Sequence, residues 1–292
     1  MSILLDETTR ILFYGLETPH GQRQYPAMAN SGARLVGAVA DHERAGPGIR
    51  CFASAGRAVE QTGRIDLAII FSPPDRVLAQ ALEAFDAGIR TVVCPTEYVP
   101  VHDALRMKHR ADATGSILVG PNSSGILTPG EARAGFICND ICTPGRIGVV
   151  AKSGSVAFAA MSEMKAAGIG VSSVVSVGGD LVKGADYCTL LPLFEQDPET
   201  DAMLLLGEIG GAEEELAADF IARNIRKPVV AFVSGKTVRP GQNIGHAGAI
   251  VTRGRGGYQG KIDAFRQSGV LVAEEFSEIV PALRKALGAG HA

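Results

Sequence analysis

Three groups in this sequence have types and spacings that could move a proton or a phosphoryl group. His246 lies in the run Asn243-Ile244-Gly245-His246-Ala247-Gly248-Ala249-Ile250. Gly245 and Gly248 permit backbone shapes and close approaches that larger residues refuse. A lone histidine beside an apolar stretch is ordinarily structural, so it needs partners before it reads as chemistry. Glu208, in Gly207-Glu208-Ile209-Gly210-Gly211, follows the very apolar run Ala202-Met203-Leu204-Leu205-Leu206. An acid at the carboxyl end of a buried strand stands where parallel sheets place their chemistry, and it can orient an imidazole and stabilise its charged form. In isolation it reads equally as the cap of the next helix. The third group is the run Gly148-Val149-Val150-Ala151, which continues into Lys152-Ser153-Gly154-Ser155 and then Val156-Ala157-Phe158. Ser153 and Ser155 can cap a helix whose free N–H groups and dipole suit a dianionic phosphoryl group. Alone, these serines read first as simple N-caps. Small neighbours, an acid at Glu208 and a phosphate-suited helix start together raise His246 above the structural reading.

Other motifs carry less. Gly15-Leu16-Glu17-Thr18-Pro19-His20-Gly21 follows the first strand candidate, where doubly wound sheets hold phosphates on a helix N-terminus. It lacks G-x-G-x-x-G spacing, and Glu17 is negative where a pyrophosphate needs donors. Asp41 stands twenty residues after Gly21, like the ribose-binding acid of NAD enzymes; without the glycine pattern it reads as a turn residue. Five cysteines, an odd number spread along the chain, argue against a disulfide framework. Cys138 and Cys142 have no second Cys or His pair nearby to complete a metal site.

The elements that must position these groups alternate short β-branched runs with longer amphipathic segments, the pattern of βαβ units and a parallel sheet. Strands are expected at 10–14, 34–40, 67–71, 91–94 and 116–119 in the first half, with a helix over 77–87 ended by Gly88. In the second half strands are expected at 146–151, 174–177, 202–206, 229–233 and 270–272, with helices near 156–166, 213–224 and 277–287. A polar, turn-rich stretch over 128–145, with Pro129-Gly130 and Pro144-Gly145, reads as the change of domain. The expectation is a domain at 1–127, a linker at 128–145 and a second domain at 146–292.

Composition excludes several classes. The 292 residues suit two domains. Lys and Arg number 28 against 31 Asp and Glu, a net charge of −3, so there is no basic footprint for nucleic acid. Mean hydropathy is +0.15, but the longest apolar runs are strand-length, far short of a roughly 20-residue membrane span. No secretory signal pattern opens the chain, and a cytoplasmic location is expected.

At these residues the sequence resembles the α subunits of succinyl-CoA synthetases. These are NDP-forming acyl-CoA ligases whose family includes malate–CoA ligase and, in part, ATP-citrate lyase. The resemblance runs over nearly the entire chain. Gly245-His246-Ala247-Gly248-Ala249-Ile250 looks like the family's phosphohistidine loop. Gly207-Glu208-Ile209-Gly210-Gly211, Gly178-Gly179-Asp180, Ser153-Gly154-Ser155, Gly120-Pro121-Asn122 and Thr96-Glu97 agree in order and spacing. The resemblance implies an N-terminal Rossmann-like CoA-binding domain and a flavodoxin-like parallel α/β ligase domain. It implies a ping-pong cycle in which an ATP-grasp β subunit, carrying ATP or GTP with Mg²⁺, phosphorylates His246. The phosphoryl group passes to a small carboxylic acid, and CoA attacks the acyl phosphate. Glu208 would hold the imidazole. Ser153, Gly154 and Ser155 would receive the phosphohistidine, with Asn122, Ser123, Ser124 and Phe158 near the acyl group. CoA would lie against Gly15, Glu17, Thr18, Pro19, His20, Gly21, Arg44, Ser72, Pro73, Pro95, Thr96 and Glu97. No P-loop sequence is present, which fits a partner that supplies the nucleotide.

Departures from the family cluster in the first half. The usual Gly-x-Thr-Gly-x-x-Gly turn has become Gly15 to Gly21, with an added charge at Glu17 and an N–H donor lost at Pro19. A Pro-Gly-Lys-Gly-Gly segment is replaced by Asp41-His42-Glu43-Arg44-Ala45-Gly46, where Arg44 offers a cation of different donor geometry. Gly-Pro-Asn-Cys-Pro-Gly becomes Gly120-Pro121-Asn122-Ser123-Ser124-Gly125, and a tyrosine becomes Phe158. These changes point to a carboxylate other than succinate, bulkier or hydroxylated. They leave two alternatives open: a ligase with a non-CoA acceptor, and a non-catalytic CoA- or nucleotide-sensing protein.

Overall fold

The computed structural model describes residues 2–41, 46–238, 246–249, 251 and 256–289. In the first half β1 (Arg10–Tyr14), β2 (Arg34–Val39), β3 (Cys51–Phe52), β4 (Leu67–Ile70), β5 (Thr91–Val93) and β6 (Ile117–Val119) form one sheet. Its order is β3-β2-β1-β4-β5-β6 and every pairing is parallel. Four helices cross between its strands: α1 (Pro19–Ala29), α2 (Ala55–Thr62), α3 (Pro74–Asp86) and α4 (Val101–Thr114). The strand order turns back between β1 and β4, so the carboxyl ends of these two strands bound a crevice. Helix α3 begins three residues before the expected 77, because Pro73 and Pro74 supply the extended entry and the pre-set first-turn φ that open a helix.

The second half builds a seven-stranded sheet. Its strands are β7 (Gly125–Thr128), β8 (Ala132–Gly135), β9 (Pro144–Ala151), β10 (Val171–Ser176), β11 (Ala202–Glu208), β12 (Val229–Ser234) and β13 (Leu271–Ala273). The order is β13-β12-β11-β9-β10-β7-β8. From β9 to β13 the pairings are parallel, and β7 and β8 add an antiparallel edge. The helices are α5 (Gly154–Ala166), α6 (Tyr187–Gln196), α7 (Glu213–Asn224), α8 (Tyr258–Gln267) and α9 (Ile279–Ala289). Strand β11 lies between β9 and β12, and all seven of its residues are buried. That is why its first five residues form a continuous apolar run rather than an alternating one; each fully buried leucine contributes about 1.5–3 kcal/mol. Phe194 of α6 packs so closely on β9 that a Cβ at Gly148 would come within 2.4 Å of its ring.

Two expectations are corrected. The stretch 128–145, read as a linker, contributes to the second sheet: it contains β8, whose four residues are buried, and the first two residues of β9. Its hairpin packs on the first half, where the Arg133 guanidinium donates to Gln24 Oε1 (3.1 Å) and the Thr128 hydroxyl to Leu5 O (2.6 Å). One apolar cluster accordingly runs from Ile3 and Phe13 through Ile126 and Ala134 to Leu205. Strand β10 starts at Val171, not 174, because Ser172 and Ser173 are paired inside the protein. Ser172 Oγ lies 2.6 Å from Thr200 Oγ1, and Ser173 Oγ lies 3.3 Å from Thr128 Oγ1. Hydroxyls with partners can be buried in a strand that looks polar.

Candidate active site

In the second sheet the chain runs from β9 to β10 on one side and later to β11 on the other. The carboxyl ends of β9 and β11 therefore flank the switch in strand order, where open α/β sheets take their ligands. Leu206 pairs with Ala151. Two residues beyond Leu206 comes Glu208, and two beyond Ala151 comes Ser153. Ser153 is the N-cap of α5, its hydroxyl accepting from the Val156 N–H (3.5 Å) and lying 3.0 Å from Ser155 Oγ.

His246 Nδ1 lies 2.7 Å from Glu208 Oε2. A carboxylate only accepts, so Nδ1 carries the proton and Nε2 of the neutral ring holds the lone pair. Glu208 is 4 % exposed and His246 25 %. The hydrogen bond that His246 donates to Glu208 raises the His246 pKa, against the lowering effect of burial, and the charges of Glu208, Asp180 and Glu97 add to the rise. The ring rests on Gly179, where a Cβ would stand 2.6–2.8 Å from three of its atoms. The Gly248 N–H donates to Gly179 O (3.2 Å) and the Ala249 N–H to His246 O (3.1 Å), tying the short turn to this glycine. Gly245 and Ile250 lie outside the described residues.

Asn122 joins the two halves of the chain. Its N–H donates to Thr96 O (3.0 Å), its carbonyl accepts from the Gly179 N–H (3.3 Å), and its Nδ2 donates to Asp180 Oδ1 (2.9 Å). It does so at φ 57°, a left-handed conformation that asparagine tolerates better than most residues. A cavity of about 730 Å³ gathers these groups, lined by Glu97, Asn122, Ser153, Ser155, Asp180, Glu208 and His246, with Val99, Val101, Leu181 and Val182 on its apolar side. The arrangement offers one nucleophilic nitrogen, an acid that orients it, and a helix N-terminus with two hydroxyls for a tetrahedral anion.

Other expected site residues stand apart from this cavity. Ser123 is buried, donating to Ser176 O and accepting from the Gly125 N–H (2.9 Å), so its hydroxyl is committed to the backbone. Ser124 Oγ is buried without a partner and sits against Gly154, where a Cβ would approach it to 3.0 Å. Phe158 packs on the apolar cluster around Leu127 and Ile147, which explains an aromatic ring there without a substrate.

In the first sheet, Thr18 caps α1 by accepting from the Gly21 N–H (2.9 Å), and its hydroxyl lies 2.9 Å from Gly15 O. Gly15, at φ 95°, has room for no Cβ, since Ser72 N would stand 2.5 Å away. Pro19 opens α1 and Pro73 caps α3, while His20 meets Phe136 edge-on at 5.8 Å. Pro95 is buried, and Thr96 bonds Ser72 O (2.9 Å). Glu17 lines a second cavity of about 260 Å³ with Asp41, Arg76 and Gln80; its carboxylate lies 3.5 Å from Arg76 Nη1. Arg44 lies outside the described residues.

Sequence reasoning passed over Lys152, Glu214 and Lys261, which are buried behind the site. The run Glu213-Glu214-Glu215 directly after Gly210-Gly211-Ala212 was the available signal. Three acids in one turn exceed what a helix N-terminus needs. Among the described residues no group of His, Cys, Asp and Glu could hold a metal ion, and no helix is long and apolar enough to cross a membrane.

The comparisons with known proteins agree with this architecture. A CoA binding domain matches residues 6–98, and a succinyl-CoA ligase like flavodoxin domain matches residues 144–286. The α 1 subunit of the ADP-forming succinate–CoA ligase of Archaeoglobus fulgidus is 38 % identical over 289 residues, 98 % of this chain and 99 % of that protein. The malate–CoA ligase α subunit of Methylorubrum extorquens is 37 % identical over 281 residues, 94 % of this chain and 95 % of that one. Among solved structures, Methanosaeta concilii ATP citrate lyase in complex with (3S)-citryl-CoA superposes with a TM-score of 0.87 at 26 % identity. The match covers 98 % of this chain and 51 % of that one. With relatives this similar over almost its whole length, the chain belongs to the family of α subunits of NDP-forming acid–CoA ligases, the succinyl-CoA ligase family.

Proposed function

We propose that this chain is the catalytic α subunit of an NDP-forming acid–CoA ligase that works through phosphorylation of His246. In this reading the half built on the first sheet holds CoA and the half built on the second sheet carries the histidine. An ATP-grasp β partner supplies ATP or GTP with Mg²⁺, and the assembly is cytoplasmic. The observation that carries it is the 2.7 Å bond between His246 Nδ1 and Glu208, with Ser153 and Ser155 lining the same cavity. Glu208 leaves Nε2 free to attack the terminal phosphorus, and the nucleoside diphosphate departs. The ring then carries positive charge that Glu208 offsets. The N-terminus of α5 takes the phosphoryl oxygens while a substrate carboxylate oxygen attacks phosphorus and the P–N bond breaks, returning a neutral imidazole. The CoA thiolate attacks the acyl carbon, the C–O bond breaks, and inorganic phosphate leaves.

The first sheet's crevice supports a place for CoA. Ser72 Oγ is buried without a partner beside the close approach of Gly15, and a polar ligand there would satisfy it. The test uses the assembly with its β partner and labelled nucleoside triphosphate. Wild type should gain an acid-labile, base-stable phosphate and His246→Ala none; equal labelling of the two would reject the reading. A second reading, an acceptor other than CoA, is favoured by Glu17 and Asp41, which bring two acids into the cavity beside β2 and β3. Calorimetry decides it: tight binding of CoA to the assembly removes this version.

A further inference from the structure

Behind Glu208 lies a buried ionic cluster that phosphoryl transfer as described above does not use. Glu214, in the first turn of α7, is fully buried, as is Lys261 of α8; Lys152, just past β9, is 5 % exposed. Lys152 Nζ lies 2.7 Å from Glu214 Oε1, and Lys261 Nζ lies 2.5 Å from Glu214 Oε2 and 2.9 Å from Glu215 Oε2. Lys261 also donates to Gly211 O (3.1 Å) at the end of the turn that follows Glu208. The Glu208 N–H donates to Glu214 Oε1 (3.2 Å). Gly207 gives the room for this: a Cβ there would stand 2.8 Å from the Glu214 side chain. Glu213 completes the set, 2.6 Å from Lys183 and 3.2 Å from Lys152.

The charges balance. Lys152, Lys183 and Lys261 face Glu213, Glu214 and Glu215, and among the described residues no lysine or arginine is paired with Glu208. Buried ion pairs are poor devices for stability, since apolar residues of the same volume often serve as well. A cluster kept at the end of β11 therefore calls for a local reason. Lys152 leaves β9 beside β11, and the Lys152 N–H donates to Leu206 O (3.1 Å). Its ammonium is within Coulombic reach of Glu208: burial works to lower the Lys152 pKa, but Glu214, Glu213 and, behind them, Glu208 raise it. Without Glu214, that ammonium would be left partly unpaired in a low-dielectric site, with Glu208 as the acid not already held by a lysine.

We propose that Glu214 is a positioning residue for phosphoryl transfer: it anchors the Glu208 backbone and holds Lys152 away from the Glu208 carboxylate, so that this carboxylate serves His246 alone. The inference rests on the phosphohistidine reading, but its test does not depend on turnover. The groups facing the Glu208–His246 pair are Asp180 and Glu97 on the cavity side. On the buried side they are Lys152 after β9, Glu213 and Glu214 of α7, Lys261 of α8 and Tyr187 of α6, whose hydroxyl donates to Leu206 O (3.0 Å).

The experiment compares wild type, Glu214→Gln, Glu214→Asp and the double variant Lys152→Met/Glu214→Gln, each as the full chain with its β partner. Two quantities are read: the NMR titration of His246 and the pH profile of phosphohistidine formation. Glu214→Gln is expected to move the His246 titration to lower pH and to slow phosphorylation by about tenfold or more, the equivalent of losing one charge-assisted hydrogen bond. Glu214→Asp keeps the charge and should stay nearer wild type. The double variant removes the competing ammonium and should restore the wild-type titration. A folded Glu214→Gln with a wild-type titration overturns the proposal, as does a double variant whose titration stays below that of wild type. Should Glu214→Gln not fold, the double variant decides alone. A wild-type chain that takes up no phosphate would reject the phosphohistidine reading instead, and the titrations would still answer for Glu214.

Discussion

Replacing Glu208 with glutamine removes one charge and little else, because the amide keeps the length of the side chain and can still accept from His246 Nδ1. The bond is 2.7 Å long with the acid 4 % exposed and the histidine 25 % exposed, so solvent screens it little. A hydrogen bond to a charged group is worth about 1.5–3 kcal/mol, against about 0.5–1.5 kcal/mol for a neutral one. If phosphorylation places a full positive charge on the ring, the loss is the difference between the two, about 1–1.5 kcal/mol, which slows the step roughly 5- to 13-fold. The sign of the pH effect follows from the raised His246 pKa, caused first by the Glu208 hydrogen bond. A histidine raised in the folded state contributes stability that is fully present below its unfolded pKa and lost as pH rises through the folded one. The stability gap between wild type and Glu208→Gln should therefore be largest below about pH 6.5, the ordinary histidine value, and close on the alkaline side. Single-turnover labelling with the β partner, NMR titration of His246 and urea unfolding at several pH values measure the three effects. A variant labelled at the wild-type rate with an unmoved His246 titration would refute the reasoning.

Further outcomes follow from the same geometry. Gly179→Ala brings a Cβ to 2.6–2.8 Å from the His246 ring, so the ring must shift. Overpacking of this kind costs about 1–3 kcal/mol, and we expect a folded protein with slowed phosphorylation; an unchanged rate would show that the ring does not rest there. Leu205→Ala in fully buried β11 should lower stability by about 2–5 kcal/mol, read as a shifted urea midpoint, while a loss under 1 kcal/mol would contradict its central place. Glu17→Gln removes one of two acids from the second cavity. Because its partner Arg76 is 59 % exposed, the effect is modest, about 0.2–1 kcal/mol. CoA should bind up to about fivefold tighter by calorimetry, and weaker binding would show that the carboxylate helps rather than hinders the ligand.

Much of this protein is local. Strands β1, β11 and β12 were legible because a strand buried on both faces must be apolar throughout, and such runs as Ala202–Leu206 and Val229–Val233 have no other home. Helix α7 was expected near 213–224 and spans Glu213–Asn224. His246, Glu208 and Ser153 could be singled out as candidates because glycine-bearing turns at strand ends announce themselves in sequence, and all three line one cavity. Strands β7, β8 and the start of β10 were not, since their glycine, serine and arginine residues read as loop. Only burial with partners such as Thr200, Thr128 and Gln24, distant in sequence, makes them sheet.

The tertiary structure alone decided which of the candidate groups meet. Glu208 and His246 are 38 residues apart and become partners because the strand order turns back beside β9, a choice that no local pattern records. The same is true of Gly179, whose missing side chain leaves the place where the imidazole rests, and of Asn122, which bonds Thr96 in one half and Asp180 in the other. Ser123 and Phe158 show the converse: residue types that suit a substrate site were taken up by the backbone of β10 and by the core. Propensity and hydrophobic period act over a few residues and set elements, whereas a site is set by which elements share an edge. That depends on packing summed over the whole chain, and in this chain it brought His246, Glu208 and the N-terminus of α5 to a single cavity.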